Sequence, residues 1–117
     1  MKSALSLKRI IIFTRNVSSL IEFYLGLLDK PESYIDQDGK WGEILCGETS
    51  IAFHLGKKRG SNEHLFKLVF YSDGIAKKRE ELMKRGYRTG KISRSGRLMF
   101  FDVKDPDGNF IQFSNRN

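Results

Sequence analysis

The feature that most constrains the fold is an order of predicted elements that the chain repeats. In the first half, residues 8–14 predict a strand. Asn16 or Ser18 can cap the helix that follows, and Ser19 and Glu22 stand at capping-box spacing within it. The strands predicted after this helix lie near residues 33–35, 41–46 and 49–55. The first half therefore has the order βαβββ.

The second half has the same order. Residues 66–71 predict a strand, and the next helix is capped by Asp73 and ended by Gly86. The apolar residues of this helix are Ile75, Leu82 and Met83. Further strands are predicted near residues 88–92, 98–103 and 110–114. The 117 residues thus predict one α+β domain of two βαβββ modules, at about 5–56 and 62–115.

The segment Asp105-Pro106-Asp107-Gly108 predicts a tight turn between the last two strands. Pro106 and Gly108 occupy the second and fourth positions of a four-residue turn, which are the positions that a type I turn favours for them. The second module is therefore expected to end in a β-hairpin.

Positive charge dominates the composition without forming a nucleic-acid motif. The net formal charge is +7, with basic runs at 57–59 and 77–79. Glu80 and Glu81 interrupt the basic surface of the second helix, as is typical of a solvated helix face. No DNA- or RNA-recognition motif accompanies these runs, so the charge distribution disfavours nucleic acid as the partner.

Other composition signals point to a cytoplasmic protein that does not enter a membrane. Cys46 is the only cysteine, which excludes an intramolecular disulfide, and its strand context favours a buried thiol over a reactive one. The apolar run 10–13 is much shorter than the roughly 18 residues of a membrane span.

Two motifs and the repeated order together resemble one known group of proteins. The helix segment Val17-Ser18-Ser19-Leu20-Ile21-Glu22-Phe23-Tyr24 and the turn Asp105-Pro106-Asp107-Gly108-Asn109 are similar to segments of the glyoxalase, bleomycin-resistance and extradiol-dioxygenase group. This group is the vicinal oxygen chelate superfamily. The resemblance implies a curved, mixed-sheet half-barrel with outer helices, whose concave face holds a ligand or a metal.

The resemblance also implies where metal ligands would stand. Metal-dependent members use one inward position on the first strand and one on the last strand of each module. By counting, these positions fall at Arg9, at or next to His54, at Lys67 and at Gln112. Only His54 is an ordinary metal ligand, and two cations would repel a divalent ion. His64 lies in a polar segment and is interpreted as solvent-exposed, so no metal and no cofactor is expected.

Strand alternation then predicts a cationic cavity with aromatic walls. Arg9 and Phe13 would share a face, as would Lys67 and Tyr71. The predicted ligand-binding residues are Arg9, Phe13, Trp41, His54, Lys67, Tyr71, Phe110 and Gln112. An alternative is that Arg9 and Lys67 lie at the cavity edge and are neutralised by Glu43 or another acid. In that case the cavity would not be cationic.

Three functions remain open at this point. The favoured one is a metal-independent protein of the bleomycin-resistance type that binds a small molecule, anionic or partly aromatic, as a homodimer. The second is a metal-dependent lyase resembling glyoxalase I, or a dioxygenase, with an atypical site. Gln112 weighs against it, because an amide can orient a ligand but cannot take a proton. The third is a basic protein associated with nucleic acid.

Overall fold

The computed structural model describes residues 7–56 and 67–116. The chain divides into two compact units, Met1–Gly60 and Ser61–Asn117, which are described one at a time. In unit 1 the elements are β1 (Arg9–Thr14), α1 (Val17–Leu27), β2 (Ser33–Ile35), β3 (Trp41–Cys46) and β4 (Thr49–Leu55). In unit 2 they are β5 (Leu68–Tyr71), α2 (Ile75–Lys84), β6 (Ser93–Ser95), β7 (Leu98–Lys104) and β8 (Phe110–Ser114). The predicted α+β class and the tandem βαβββ order are confirmed.

Unit 1 contains a mixed four-stranded sheet in the order β1-β4-β3-β2. β1 runs parallel to β4, and the other neighbours are antiparallel. Helix α1 covers one face, where Tyr24 meets Phe53 with their ring centroids 5.0 Å apart. The helix lies so close to β3 that a Cβ at Gly42 would be 2.9 Å from the side chain of Ile21. Glycine at this position therefore permits the tight packing of helix on sheet.

Unit 2 repeats this arrangement with the sheet order β5-β8-β7-β6. Its core contains the stacked rings of Phe101 and Phe113, with centroids 5.4 Å apart. Ile75 and Leu82 of α2 are buried, as are Val103 and Ile111 of the sheet. Each unit thus buries one face of its sheet together with apolar residues of its helix.

The helix starts differ from the sequence prediction in detail. Asn16 caps α1, because its side-chain oxygen accepts a hydrogen bond from the Ser19 backbone N–H at 3.0 Å. Ser19 is thereby a residue of the first turn rather than the cap of a capping box. In unit 2, Gly74 is the N-cap and no side chain caps the helix, so the prediction that Asp73 does so is wrong.

Met83 is also wrongly predicted to lie on the apolar face of α2. Leu82 is fully buried, whereas the Met83 side chain is 49% exposed. Successive helical residues differ by about 100° around the axis, so only positions spaced like Ile75 and Leu82 can share the face toward the sheet.

The strand predicted at 88–92 lies instead at Ser93–Ser95. Residues Gly96 and Arg97 form a tight turn that pairs Ser95 with Leu98, and Gly96 adopts a φ of +60°. This turn fixes the register of the hairpin, so the polar residues 93–95 form the ladder despite their low strand propensity. Within the predicted segment, Thr89 makes one isolated bridge to Val103.

The predicted turn at Asp105 is confirmed. The Gly108 N–H donates to the Asp105 carbonyl at 2.9 Å, and Gly108 has a φ of +84°. The buried Asp105 carboxylate also accepts hydrogen bonds from the backbone N–H groups of Asp107 and Asn109. A side chain that satisfies the turn backbone in this way fixes the β7–β8 hairpin.

Two further features concern the helices and Cys46. Across residues 7–56 and 67–116, no helix is both long and apolar enough to cross a membrane. Cys46 is partly buried, and burial raises the pKa of its thiol, which disfavours the reactive thiolate.

Helix α2 offers a direct test of how its apolar face packs against the unit 2 sheet. Leu82→Ala removes a fully buried side chain and should lower the free energy of unfolding by about 2–5 kcal/mol. Met83→Ala, its exposed neighbour, should change it by less than about 0.5 kcal/mol. Urea denaturation followed by circular dichroism measures both variants, and equal losses would contradict the assigned helix face.

Candidate functional site

The face of the unit 1 sheet opposite α1 carries the candidate site, and we call it the open face of unit 1. The register aligns Arg9 with Ser50 and Phe13 with His54. It also aligns Trp41 with His54, and Glu43 with Tyr34 on one side and Ala52 on the other. Because side chains alternate along a strand, all of these residues project from the same face.

Glu43 is the polar centre of the open face. Its side chain is almost fully buried, and the residue is only 4% exposed. Its carboxylate accepts hydrogen bonds from Arg9 Nε at 2.5 Å, Ser50 Oγ at 2.5 Å and the Tyr34 hydroxyl at 2.6 Å. Burial alone would raise the pKa of this carboxyl group, but the hydrogen bonds from Ser50, Tyr34 and Arg9 outweigh burial and lower the pKa to about 2. Glu43 is therefore ionised at neutral pH.

Arg9 is neutralised by Glu43 on the open face. Its side chain is 47% exposed, and its guanidinium forms a salt bridge with the Glu43 carboxylate. The hydrogen bond and the negative charge of Glu43 raise the pKa of Arg9. Of the two roles weighed for Arg9, its geometry matches the edge cation paired with an acid.

Aromatic side chains occupy the part of the open face beyond Glu43. The His54 ring lies between Phe13 and Trp41, with its centroid 5.5 Å from each. The Trp41 indole N–H points toward the Tyr34 hydroxyl at 3.3 Å and toward Glu43 Oε2 at 3.4 Å. His54 Nδ1 lies 2.8 Å from the Leu55 carbonyl oxygen, which can only accept, so Nδ1 carries a proton. In its neutral form His54 then presents Nε2 as an acceptor.

A cavity of about 450 Å³ adjoins this aromatic group. Its walls are formed by Tyr34, Asp36, Asp38, Lys40, Trp41 and His54. Trp41 and His54 were predicted as ligand-binding residues, whereas the other four were not. Asp36 and Asp38 are visible in the sequence only as turn residues, and the turn pattern gives no sign that they border a cavity.

Unit 2 has a corresponding open face opposite α2. Lys67 Nζ lies 3.0 Å from Asp102 Oδ2, and Gln112 Nε2 lies 3.4 Å from the other carboxylate oxygen. Lys67 also lies over the Phe110 ring, 5.9 Å from its centroid. Tyr71 on β5 is 56% exposed. Lys67, like Arg9, is therefore paired with a carboxylate of its own unit.

The two units share one pattern of charged side chains. In each, a cation at or just before the first strand meets a carboxylate on the third strand, as Arg9 meets Glu43 and Lys67 meets Asp102. Asp102 is aligned with Gln112, and Glu43 is aligned with Ala52. The unit 1 counterpart of Gln112 is thus Ala52, while His54 lies two residues farther along the same face.

The residues at the four implied metal positions do not fit a metal. Arg9 and Lys67 are cations, and Gln112 offers one amide oxygen. The sequence places the second position at or next to His54, but the strand register makes Ala52, whose side chain has no donor atom, the counterpart of Gln112. In the part of the chain that the structure describes, no three His, Cys, Asp or Glu side chains are grouped so that they could hold a metal. His64 lies outside the described residues.

Solved structures share this fold over nearly the whole chain. Lactoylglutathione lyase from Agrobacterium tumefaciens matches with a TM-score of 0.75 at 12% identity, covering 93% of this chain and 92% of its own. A protein from Bacillus anthracis assigned to the glyoxalase family matches with a TM-score of 0.75 at 18% identity, covering 97% of both chains. The chain has the glyoxalase fold. The predicted resemblance to the vicinal oxygen chelate superfamily is confirmed at the level of the fold.

A third neighbour is named for binding rather than for a reaction. TnmS3, an antibiotic binding protein from Streptomyces sp. CB03234, matches with a TM-score of 0.75 at 19% identity. The match covers 96% of this chain and 97% of TnmS3. No family model and no curated protein matches the sequence. The glyoxalase fold thus occurs both in a lyase and in a binding protein.

The lowered pKa of Glu43 predicts how the free energy of unfolding depends on pH. The pKa of Glu43 falls from 4.5 to about 2 on folding, so its ionised form stabilises the folded state above pH 4.5. This contribution is lost as the pH falls from 4.5 toward 2. Glu43→Gln should therefore cost about 1–3 kcal/mol at neutral pH and progressively less through this window.

Glu48→Gln is the matched control, since Glu48 is an exposed residue of the same unit. Denaturant unfolding at several pH values between 2 and 7 provides the comparison. A Glu43→Gln penalty that stays constant across the window would contradict the assigned pKa.

Proposed function

We propose that the protein binds a small molecule, without a metal, at the open face of unit 1. The observation that carries this proposal is the cavity of about 450 Å³ bordered by Trp41 and His54. A few polar groups beside aromatic walls are typical of small-molecule sites, and the volume lies within the usual range for such pockets. The likeness in fold to an antibiotic binding protein supports the same class of function.

The nature of the two cations supports metal independence. Arg9 and Lys67 hold the first-strand positions, and each is bound to a carboxylate that a metal would otherwise attract. A divalent ion at either position would meet a positive charge and would have to displace it. A lyase or dioxygenase of the metal-dependent kind requires a metal site that these residues do not supply.

The aromatic part of the expected ligand has better support than an anionic part. Phe13 is half-exposed and contacts His54, whose other neighbour is Trp41, so the open face offers ring surfaces for stacking. An anionic ligand that used Arg9 would compete with Glu43. We therefore assign the site a ligand with an aromatic portion.

A homodimer remains part of this proposal. β1 and β2 form the two edges of the unit 1 sheet, and β2 exposes Tyr34 and Ile35. Exposed strand edges favour pairing with another strand, which a second copy can supply.

Light scattering should give about twice the chain mass of 13.5 kDa. A mass of one chain throughout the micromolar range would contradict the dimer.

A ligand screen on chelator-treated protein tests the proposed function. A compound present at about 100 times its Kd should stabilise the folded state by about 2.7 kcal/mol, which is visible as a rise in Tm. Trp41→Ala should weaken binding at least about tenfold, because it removes a wall of the cavity. Met83→Ala, which alters an exposed residue of unit 2, is the control and should bind normally.

Adding metal ions to the same screen tests whether binding depends on a metal. If compounds bind only after zinc, nickel, iron, manganese or cobalt is restored, the site is metal-dependent and the proposal fails. The proposal also fails if Trp41→Ala binds the compounds as tightly as the wild-type protein does.

A further inference from the structure

The cavity of unit 1 differs in charge from the chain as a whole. The chain has a net formal charge of +7. The cavity walls instead contain two carboxylates, Asp36 and Asp38, against the single cation Lys40. His54 supplies the one imidazole among these lining residues, and Glu43 nearby is already paired with Arg9. The cavity is therefore locally acidic in a basic protein.

Hydrogen bonds order the β2–β3 turn that carries both aspartates. The Asp36 N–H donates to the Trp41 carbonyl at 2.9 Å, and the Gly39 N–H donates to the Asp36 carbonyl at 2.9 Å. Asp38 Oδ1 accepts the Lys40 N–H at 3.0 Å. These hydrogen bonds close the turn onto the strands and hold the Asp38 carboxylate, while Asp36 is positioned through its backbone.

The aromatic walls are also held in place before any ligand arrives. Glu43 fixes the Tyr34 hydroxyl at 2.6 Å, and the Trp41 indole N–H is directed to the same pair of groups. The Trp41 ring stands nearly perpendicular to the His54 ring, at 87°. Indole and phenol rings attract cations through their negative faces. Rings that are fixed in advance lose less conformational freedom on binding.

We propose that this cavity selects a small organic cation, namely a molecule that carries both an ammonium group and an aromatic ring. The ammonium group lies between the carboxylates of Asp36 and Asp38 and the Trp41 and Tyr34 rings, while the aromatic portion extends toward His54. This inference rests on the proposed function and adds the charge of the ligand. It departs from the anionic ligand that the sequence suggests, since an anion in the cavity would face two carboxylates.

The single tryptophan of the chain serves as the reporter of this site. Trp41 is the only tryptophan, so its fluorescence and its one indole N–H resonance report the cavity alone. Three probes of similar size differ in charge: benzylammonium, benzyl alcohol and benzoate. The cation should bind at least about fivefold more tightly than the neutral alcohol, and benzoate should bind most weakly.

Variants and changes in salt concentration test whether the cavity's carboxylates, rather than its shape, cause the preference for the cation. Asp36→Asn with Asp38→Asn should abolish the preference for the cation over benzyl alcohol. Asp73→Asn removes an exposed acid of unit 2 and should leave the preference intact. If the double variant fails to fold, salt gives an independent measure in the wild-type chain. Raising the ionic strength should weaken binding of the cation and not of the alcohol.

The outcomes separate this inference from the proposed function. Benzoate binding as tightly as the cation, or a preference that survives the double variant, overturns the inference. So does the absence of any Trp41 response to all three probes. If chelator-treated protein still binds compounds from the screen through Trp41, the proposed function stands while the cation preference falls.

Discussion

A buried carboxylate ties together the four strands of the unit 1 sheet. Glu43 lies on β3 and accepts hydrogen bonds from Arg9 of β1, Tyr34 of β2 and Ser50 of β4. A buried charge with fewer partners would destabilise the fold, whereas three donors hold Glu43 ionised at neutral pH. The open face of unit 1 is thus organised around one residue that contacts all three of the other strands in its sheet.

This arrangement separates structural charges from those available to a ligand. Arg9 and Lys67 stand where the family resemblance implies metal ligands, but each is engaged by a carboxylate of its own unit. The charges that border the cavity are instead those of the β2–β3 turn, where Asp36 and Asp38 outnumber Lys40. The high net charge of the chain therefore says little about the charge preference of the site.

Local patterns in the sequence predict most strands but fewer of the contacts that form the site. The strands at Ser33–Ile35, Trp41–Cys46, Thr49–Leu55 and Phe110–Ser114 match their predicted bounds, because strand propensity and turn residues agree there. β6 is missed because the Gly96 turn, rather than apolar alternation, sets its register. Strand alternation likewise assigns Arg9 to a face of the sheet but does not identify Glu43 as its partner. Asp36 and Asp38 are recognisable in the sequence as turn residues, but that pattern does not predict that they line a cavity.

The central claim is that the first-strand cations and their carboxylates replace a metal site. Elemental analysis of untagged protein, purified without chelator, tests it most directly for zinc, nickel, iron, manganese and cobalt. The account predicts far less than one metal ion per chain, with no gain after incubation with each metal and dialysis. One tightly held ion per chain would contradict it and would favour a metal-dependent enzyme.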